Sequence, residues 1–400
     1  MNASLASVIR GAAEEMKPQL LDWYRYLHRF PEMAHHEFQT NAYIRAELDK
    51  MGISYLAPKD NITIAVISAD QPGDTIGYRC DTDALMVEEQ SGLPFSSEHP
   101  GIMHACGHDG HISVGLCTAY LLKKYADQWQ GTAKIIFQPA EEGEDGADRV
   151  IATHLVDDVD RFFCLHFWSA YPSGHLCASE VTTSAAVNMY EFKIHGKGGH
   201  GGMPHVCHDA LVAGAELVGA LQTVVSRVLP PTTPSLLTIG AFHAGTQGNI
   251  IAGEAVLRGT LRTVNEEDRQ KAEAAIDAMV HHIAAMHSCT AEIENRRLSD
   301  AVTNAPVPTQ IARRAAELLA ENDPALCPAD QKTMMTGDDF ANYGRIAPYV
   351  YMQLGIADAN KGTDFPLHNA KFRLDEDLLP VGAAWMTLCA LCAPDESTEK

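Results

Sequence analysis

The sequence has no uninterrupted apolar run long enough to span a bilayer, and its opening stretch MNASLASVIRGAAEEMK lacks a basic region followed by an apolar block. A cytoplasmic chain without membrane contact is the expectation. Positive charge is also scarce, with 30 Lys and Arg facing 52 Asp and Glu for a formal net charge of −22. Binding phosphate backbones needs clustered basic side chains, so nucleic acid is excluded as a partner and the acidic surface serves solubility. Regular, close cysteine spacing is missing too. Ten cysteines are scattered along 400 residues, which reads as reduced thiols rather than a disulfide scaffold. Cys389 and Cys392 fall in the apolar run WMTLCALC, where two buried helical cysteines are the simpler reading than a redox pair. No internal repeat or low-complexity tract stands out.

What is present is an ordinary globular composition, 46% hydrophobic and 20% charged, on a chain longer than one core usually grows. Two domains are expected. Helical spacing runs to about Phe30 and resumes from Phe38 to Met51; short apolar strands follow at 63–68, 75–79, 134–138 and 161–166, with a helix over 110–125 between them. That alternation predicts an α/β sheet with ligands at the carboxyl ends of its strands. From about residue 186 the order becomes β-α-β-β-α-β, which is ferredoxin-like and self-contained. Residues 186–296 are therefore expected to form a domain inserted into an α/β domain of residues 1–185 and 297–400, where a helix over 308–321, a strand over 349–354 and a last helix from Glu376 restore the first rhythm.

Within this frame, MHACGHDGH at 103–111 concentrates metal-binding side chains beyond what packing requires. Cys106 and His108 are two positions apart, so a thiolate and an imidazole can converge on one face. The strand KIIFQ runs into PAEEGEDGA, placing Glu141 and Glu142 just past its end. Neighbouring residues in extended chain face opposite ways, so one carboxylate can bind metal while the other handles protons. RFFCLH ends on His166 in an otherwise apolar stretch, and His368 lies in a loop between strand and helix. Cys106, His108, Glu142, His166 and His368 exceed what one tetrahedral ion with an open position needs, and suit two ions sharing a ligand.

Ordered motifs along nearly the whole chain carry a resemblance: LHRFPEMAHHEFQT, DTDAL, MHACGHDGH, FQPAEEGEDGA, LHFW, GKGGHGGMPH, GTQGNII, GTLRT, GDDFANY and HNAKF. The chain resembles the amidohydrolase branch of the aminoacylase and carboxypeptidase clan of di-metal peptidases, which includes hippurate hydrolases, N-acetyldiaminopimelate deacetylases and auxin-conjugate hydrolases. The resemblance implies a zinc-peptidase-like α/β catalytic domain with an inserted ferredoxin-like lid or dimerisation domain. It implies Cys106, His108, Glu142, His166 and His368 as metal ligands, Glu141 as general base, and Asp83 as support for a ligand imidazole. His200 resembles the histidine that reaches a neighbouring subunit's active site to steady the oxyanion, and Asn249 and Arg262 look like substrate contacts. A homodimer follows as the expected assembly. Where relatives read DMDALP, NVIPD and GSEDF, this chain has DTDALM, NIIAG and TGDDF, which touches specificity but no ligand or base.

The expected reaction is hydrolysis of an N-acyl amino acid or similar small amide, with two divalent ions per subunit, Zn²⁺ or Mn²⁺ and with Co²⁺ or Ni²⁺ as further candidates. Two rival readings stand beside it. Cys106 activated by His108 or His104 would make a metal-free thiol hydrolase, although Glu141, Glu142 and His368 would then have no task. An inactive ligand-binding scaffold is the other. The glycine-rich GKGGHGG lacks the GxxxxGK[ST] order of a phosphate loop, so nucleotide binding is not expected.

Overall fold

Short apolar strands separated by helices build one mixed sheet of eight strands, shown by a computed structural model that describes residues 3–143, 145–321 and 323–392. The chain divides into two units, Met1–Val181 with Thr303–Lys332 and Asn342–Lys400, and Thr182–Val302 with Thr333–Ala341.

In the first unit the sheet order is Ser54–Lys59, Ile62–Ser68, Gln130–Gln138, Gln71–Asp81, Arg161–Pro172, Tyr349–Ala357, His175–Cys177, Cys327–Ala329. Its four central strands are mutually parallel and nearly continuously apolar, because both of their faces are covered. Asp81 lies opposite Gln138, Arg79 opposite Cys164, and His166 opposite Gln353. The parallel register thus brings Asp81, Gln138 and His166 level at one end of the sheet. The helix His108–Lys124 starts at this end and is buried along most of its length. Gly107 makes that start possible: at φ 87 it turns the chain out of the Cys106 loop in a left-handed conformation that side chains resist. Each fully buried leucine here, such as Leu116, Leu121 or Leu122, contributes roughly 1.5–3 kcal/mol by leaving water.

The expected single opening helix is two, Ala3–Glu15 and Lys17–Arg29. Pro18, near the start of the second, lacks the N–H that would have continued the first. The second helix buries Leu20, Trp23, Tyr24, Leu27 and His28 on one face, and Trp23 Nε1 donates to Glu47 Oε2 at 2.9 Å. Cys389 sits in the last helix, Leu379–Leu391, with its Sγ against Met352 Sδ at 3.8 Å. Burial raises the Cys389 thiol well above its usual range and pushes Cys392 up to about 11, the opposite of a reactive pair.

The second unit carries the ferredoxin-like order. Its antiparallel sheet runs Ser235–Ala244, Glu254–Thr263, Ala186–His195, Thr290–Ser299, with helices Ala210–Thr223 and Glu266–Met286 packed through Leu217, Leu221, Ala272, Ile276 and Val280 on Phe192, Ile194, Leu257 and Leu261. Both helices are capped at the residue before them: Asp209 accepts from the N–H groups of Leu211 and Val212, and Asn265 from that of Asp268. Among the described residues, Ala210–Val228 is the one helical stretch long and apolar enough to cross a bilayer, and its buried face packs within this unit.

The unit also takes in Thr333–Ala341, which lies outside the expected 186–296. Met334 N–H donates to Thr183 O at 2.9 Å and Ala185 N–H to Thr336 O at 2.8 Å. A distant segment recruited through backbone bonds leaves no periodic trace in sequence.

Candidate metal centre

At the level end of the parallel strands, the described side chains gather into overlapping groups whose potential ligand atoms lie within 4.8 Å of one another: Asp81, His108, His111 and His166; Cys106, Glu142 and His368; His108, Glu141 and Glu142. All five donors named from sequence are in these groups. Cys106 Sγ joins the first two, lying 3.5 Å from His166 Nε2.

One side of the cluster is sealed. His108 Nδ1 bonds to the Asp83 carbonyl oxygen at 2.9 Å, so its proton is fixed there and Nε2 turns inward, buried and without a hydrogen-bond partner. His166 Nδ1 bonds in the same way to Phe167 O at 2.7 Å. Burial, with His111 beside it, holds His166 well below the usual imidazole range, leaving a neutral ring with its Nε2 lone pair toward Cys106. Burial also opposes charge on His108, yet Asp81, Asp83 and Glu142 outweigh it and raise the ring to about 10. The same negative surroundings favour a bound cation in place of that proton.

Asp81 was not singled out from sequence. Its carboxylate bonds Arg79 Nη1 and, at 2.6 Å, His111 Nδ1, and it stands 3.6 Å from His108 Nε2. Burial would raise its pKa, but Arg79, His108 and His111 hold it well below the carboxylate range. His111 Nε2 accepts the Phe167 N–H at 3.1 Å, so both ring nitrogens are committed and the residue positions Asp81 instead of ligating. The strand expected to end at Arg79 runs on to Asp81, so the two are alternate residues that share one buried face.

The other side is open. His368 is 53% exposed, adopts φ 64, and places Nε2 3.1 Å from Glu142 Oε1, while its N–H donates to Ala105 O at 2.8 Å beside Cys106. Glu141 and Glu142 are half-buried. Asp83 does more than support an imidazole: its two carboxylate oxygens accept the N–H groups of Glu141 at 3.1 Å and Glu142 at 2.9 Å. His104, by contrast, is buried with neither ring nitrogen hydrogen-bonded, and burial holds it down to about 4. Neither ring nitrogen of His104 or His108 bonds the Cys106 thiol, whose imidazole neighbour is His166, one of the proposed ligands.

In the second unit, His200 pairs with Ile250 in a two-stranded ribbon, and Gly201 N–H donates to Asn249 O at 2.9 Å, so His200 and Asn249 are neighbours. Both are exposed. His200 Nδ1 accepts the Gly202 N–H at 2.9 Å, which puts the proton of the neutral ring on Nε2. Arg262 Nη1 donates to Met335 O at 3.0 Å.

The donors fit divalent ions. A thiol, imidazoles and carboxylates are present together, His108 Nε2 and Glu142 Oε1 are buried without a hydrogen bond, and the His108 and His166 rings are oriented by carbonyl oxygens as metal-ligating histidines require. Fold and donor set define a metal-dependent hydrolase on a peptidase scaffold. The chain belongs to peptidase family M20/M25/M40, whose model matches residues 77–391. It is 32% identical over 395 residues to thermostable carboxypeptidase 1 of Saccharolobus solfataricus, covering 97% of this chain and 98% of that one. To N-acetyl-L-cysteine deacetylase of Bacillus subtilis it is 34% identical over 365 residues, covering 90% and 85%. A dinuclear metal-binding M20 peptidase of Bacillus subtilis superimposes with a TM-score of 0.82 at 29% identity, covering 94% of this chain and 98% of that one. The protein is accordingly a hydrolase of amide bonds with a metal-binding centre of the dinuclear family.

Proposed function

We propose that this enzyme hydrolyses N-acyl amino acids to a carboxylic acid and a free amino acid, with Cys106, His108, Glu142, His166 and His368 holding two divalent ions and Glu141 as general base. The observation that carries this reading is the convergence of five donors from four separate segments around a carboxylate pair. Bound there, the ions would polarise the amide carbonyl and make water acidic enough to react near neutral pH. Glu141, half-buried and fixed through its own N–H, takes a proton from the attacking water and returns it to the departing nitrogen, so that one carboxylate serves as base and then acid. Water adds to the carbonyl carbon, the C–N bond breaks, and the amine leaves protonated.

His200, with Nε2–H free to donate, would steady the oxyanion, and Asn249 and Arg262 would contact the amino-acid part of the substrate. Zn²⁺ or Mn²⁺ is the expected metal, the thiolate leaning toward zinc. A homodimer that supplies His200 across subunits fits the exposed Leu236 and Phe242 on the edge strand Ser235–Ala244. All ten cysteines are free thiols, which suits the cytoplasm.

The test is a release assay over acetyl, benzoyl and longer N-acyl amino acids and over short peptides, after chelator treatment and with Zn²⁺, Mn²⁺ or Co²⁺ restored. Amino-acid release that disappears with the metal and returns with it is expected. Release that persists in the stripped chain would overturn the reading.

A further inference from the structure

We propose that Glu37 is a positioning residue for the centre: its buried carboxylate holds the strained turn that presents Glu141 and Glu142, and thereby sets metal affinity and turnover. The inference rests on the roles just given to Glu141 and Glu142.

The motif LHRFPEMAHHEFQT, at 27–40, has no part in the chemistry described so far. Glu37 stands at the N-cap of the helix Phe38–Met51, where a carboxylate would ordinarily accept the helix's own unpaired N–H groups. It makes no such bond. Instead Oε1 accepts the Ala140 N–H at 2.7 Å and the His35 N–H at 3.0 Å, while Oε2 accepts from Asn61 Nδ2 at 3.1 Å. Glu37 is fully buried, and its partner Ala140 is 103 residues away.

Ala140 is where help is needed. It sits at φ 53, a left-handed conformation that an alanine resists and that persists only where surroundings enforce it. With that turn made, three successive N–H groups are held by two buried carboxylates, Ala140 by Glu37 and then Glu141 and Glu142 by the two oxygens of Asp83. Two carboxylates so close repel. Burial first, and the Asp83 charge second, raise Glu37 to about 7, an unfavourable placement for a residue needed only to end a helix. A flat, relaxed turn could carry the pair Glu141–Glu142 without either anchor; the strained one cannot.

The test compares Glu37→Ala, Glu37→Asp and Glu37→Gln with wild type. Zn²⁺ affinity of the metal-free chain is read by competition with a chromophoric chelator, alongside kcat, KM and thermal midpoint. Removing an outer support of this kind typically costs on the order of 10–100-fold in affinity or rate. E37A should weaken Zn²⁺ about that much and lower kcat with KM within about twofold. E37Q, which keeps an oxygen for the Ala140 N–H, should stay within about threefold of wild type.

Should E37A not fold, E37D decides, because it retains the charge but falls one methylene short of Ala140. Its affinity should drop at least about fivefold with a nearly unchanged thermal midpoint. Variants that lose only thermal stability, with Zn²⁺ affinity and kcat intact, would make Glu37 structural and overturn the proposal. Glu141→Gln runs as the control: full turnover there refutes the base assignment while leaving the chelator result on Glu37 to stand or fall alone. A wild-type chain that binds no Zn²⁺ would overturn both.

Discussion

The two sides of the centre are held in different ways. On the sealed side, His108 and His166 are buried and locked through Nδ1 to carbonyl oxygens, with Asp81, Arg79 and His111 forming a saturated network around them. On the open side, the His368 side chain is 53% exposed and faces solvent, while the Glu142 side chain is 15% exposed with Oε1 buried, and the backbones of both are fixed. Burial and saturation fix charge and geometry before any ligand arrives, whereas exposure leaves room for one. On the proposed roles, the sealed side couples metal affinity to stability, whereas the open side supplies ligands and the base with little bearing on the fold.

The largest expected effect breaks the open side without touching the fold. Glu141→Gln should lower turnover by roughly 10²–10⁴-fold, the contribution usual for a general base, with metal content and thermal midpoint unchanged. Steady-state kinetics and metal analysis on one preparation check it.

Next, Asp81→Asn should break the sealed side. It leaves the buried Arg79 guanidinium without its carboxylate, a change that costs about 3–5 kcal/mol when a buried pair loses one member. Denaturant unfolding of the metal-free chain measures that loss.

A third prediction concerns how the sealed side is tied to the N-terminal helices. His28 is 1% exposed and lies between Asp109 Oδ2 at 2.6 Å and Glu89 Oε1 at 3.2 Å, with His104 as the nearby neutral ring. Burial opposes its charge, but the bonds to Asp109 and Glu89 prevail and raise it to about 9. Because the folded pKa exceeds the unfolded one, this stabilisation is complete below about pH 6.5 and is lost as pH rises through about 9. It amounts to something on the order of 3 kcal/mol. A stability profile of the metal-free chain should fall across that window, and His28→Asn should flatten it. Equal slopes for both would discard the assignment.

The smallest effect on the fold is expected at His368. His368→Ala should weaken metal binding by about tenfold or more yet shift the unfolding free energy of the metal-free chain by less than about 0.5 kcal/mol, since an exposed side chain has little packing to lose. A large stability loss would erase the distinction between the two sides.

Much of this was legible in sequence where chemistry and local pattern coincide. Cys106 and His108 share a glycine-rich turn, and His166 is conspicuous in an apolar strand, so burial itself advertised them. The α/β sheet and the β-α-β-β-α-β order followed from periodicity. Other features had no local signature. Asp81 was missed because its strand was expected to end at Arg79, two residues short of where it does. Glu37, through its carboxylate, and Thr333–Ala341, through its backbone, bond to the backbone of distant segments, which neither spacing nor composition encodes.

The most direct measurement is metal stoichiometry coupled to activity: strip the chain with a chelator, restore Zn²⁺ or Mn²⁺, and count ions per chain against amide hydrolysis in wild type and in His166→Ala. About two ions per chain in wild type, recovery of hydrolysis on their return, and loss of at least one ion with most activity in the variant are expected. Full hydrolysis by the stripped chain, or an unchanged ion count in His166→Ala, would contradict the account.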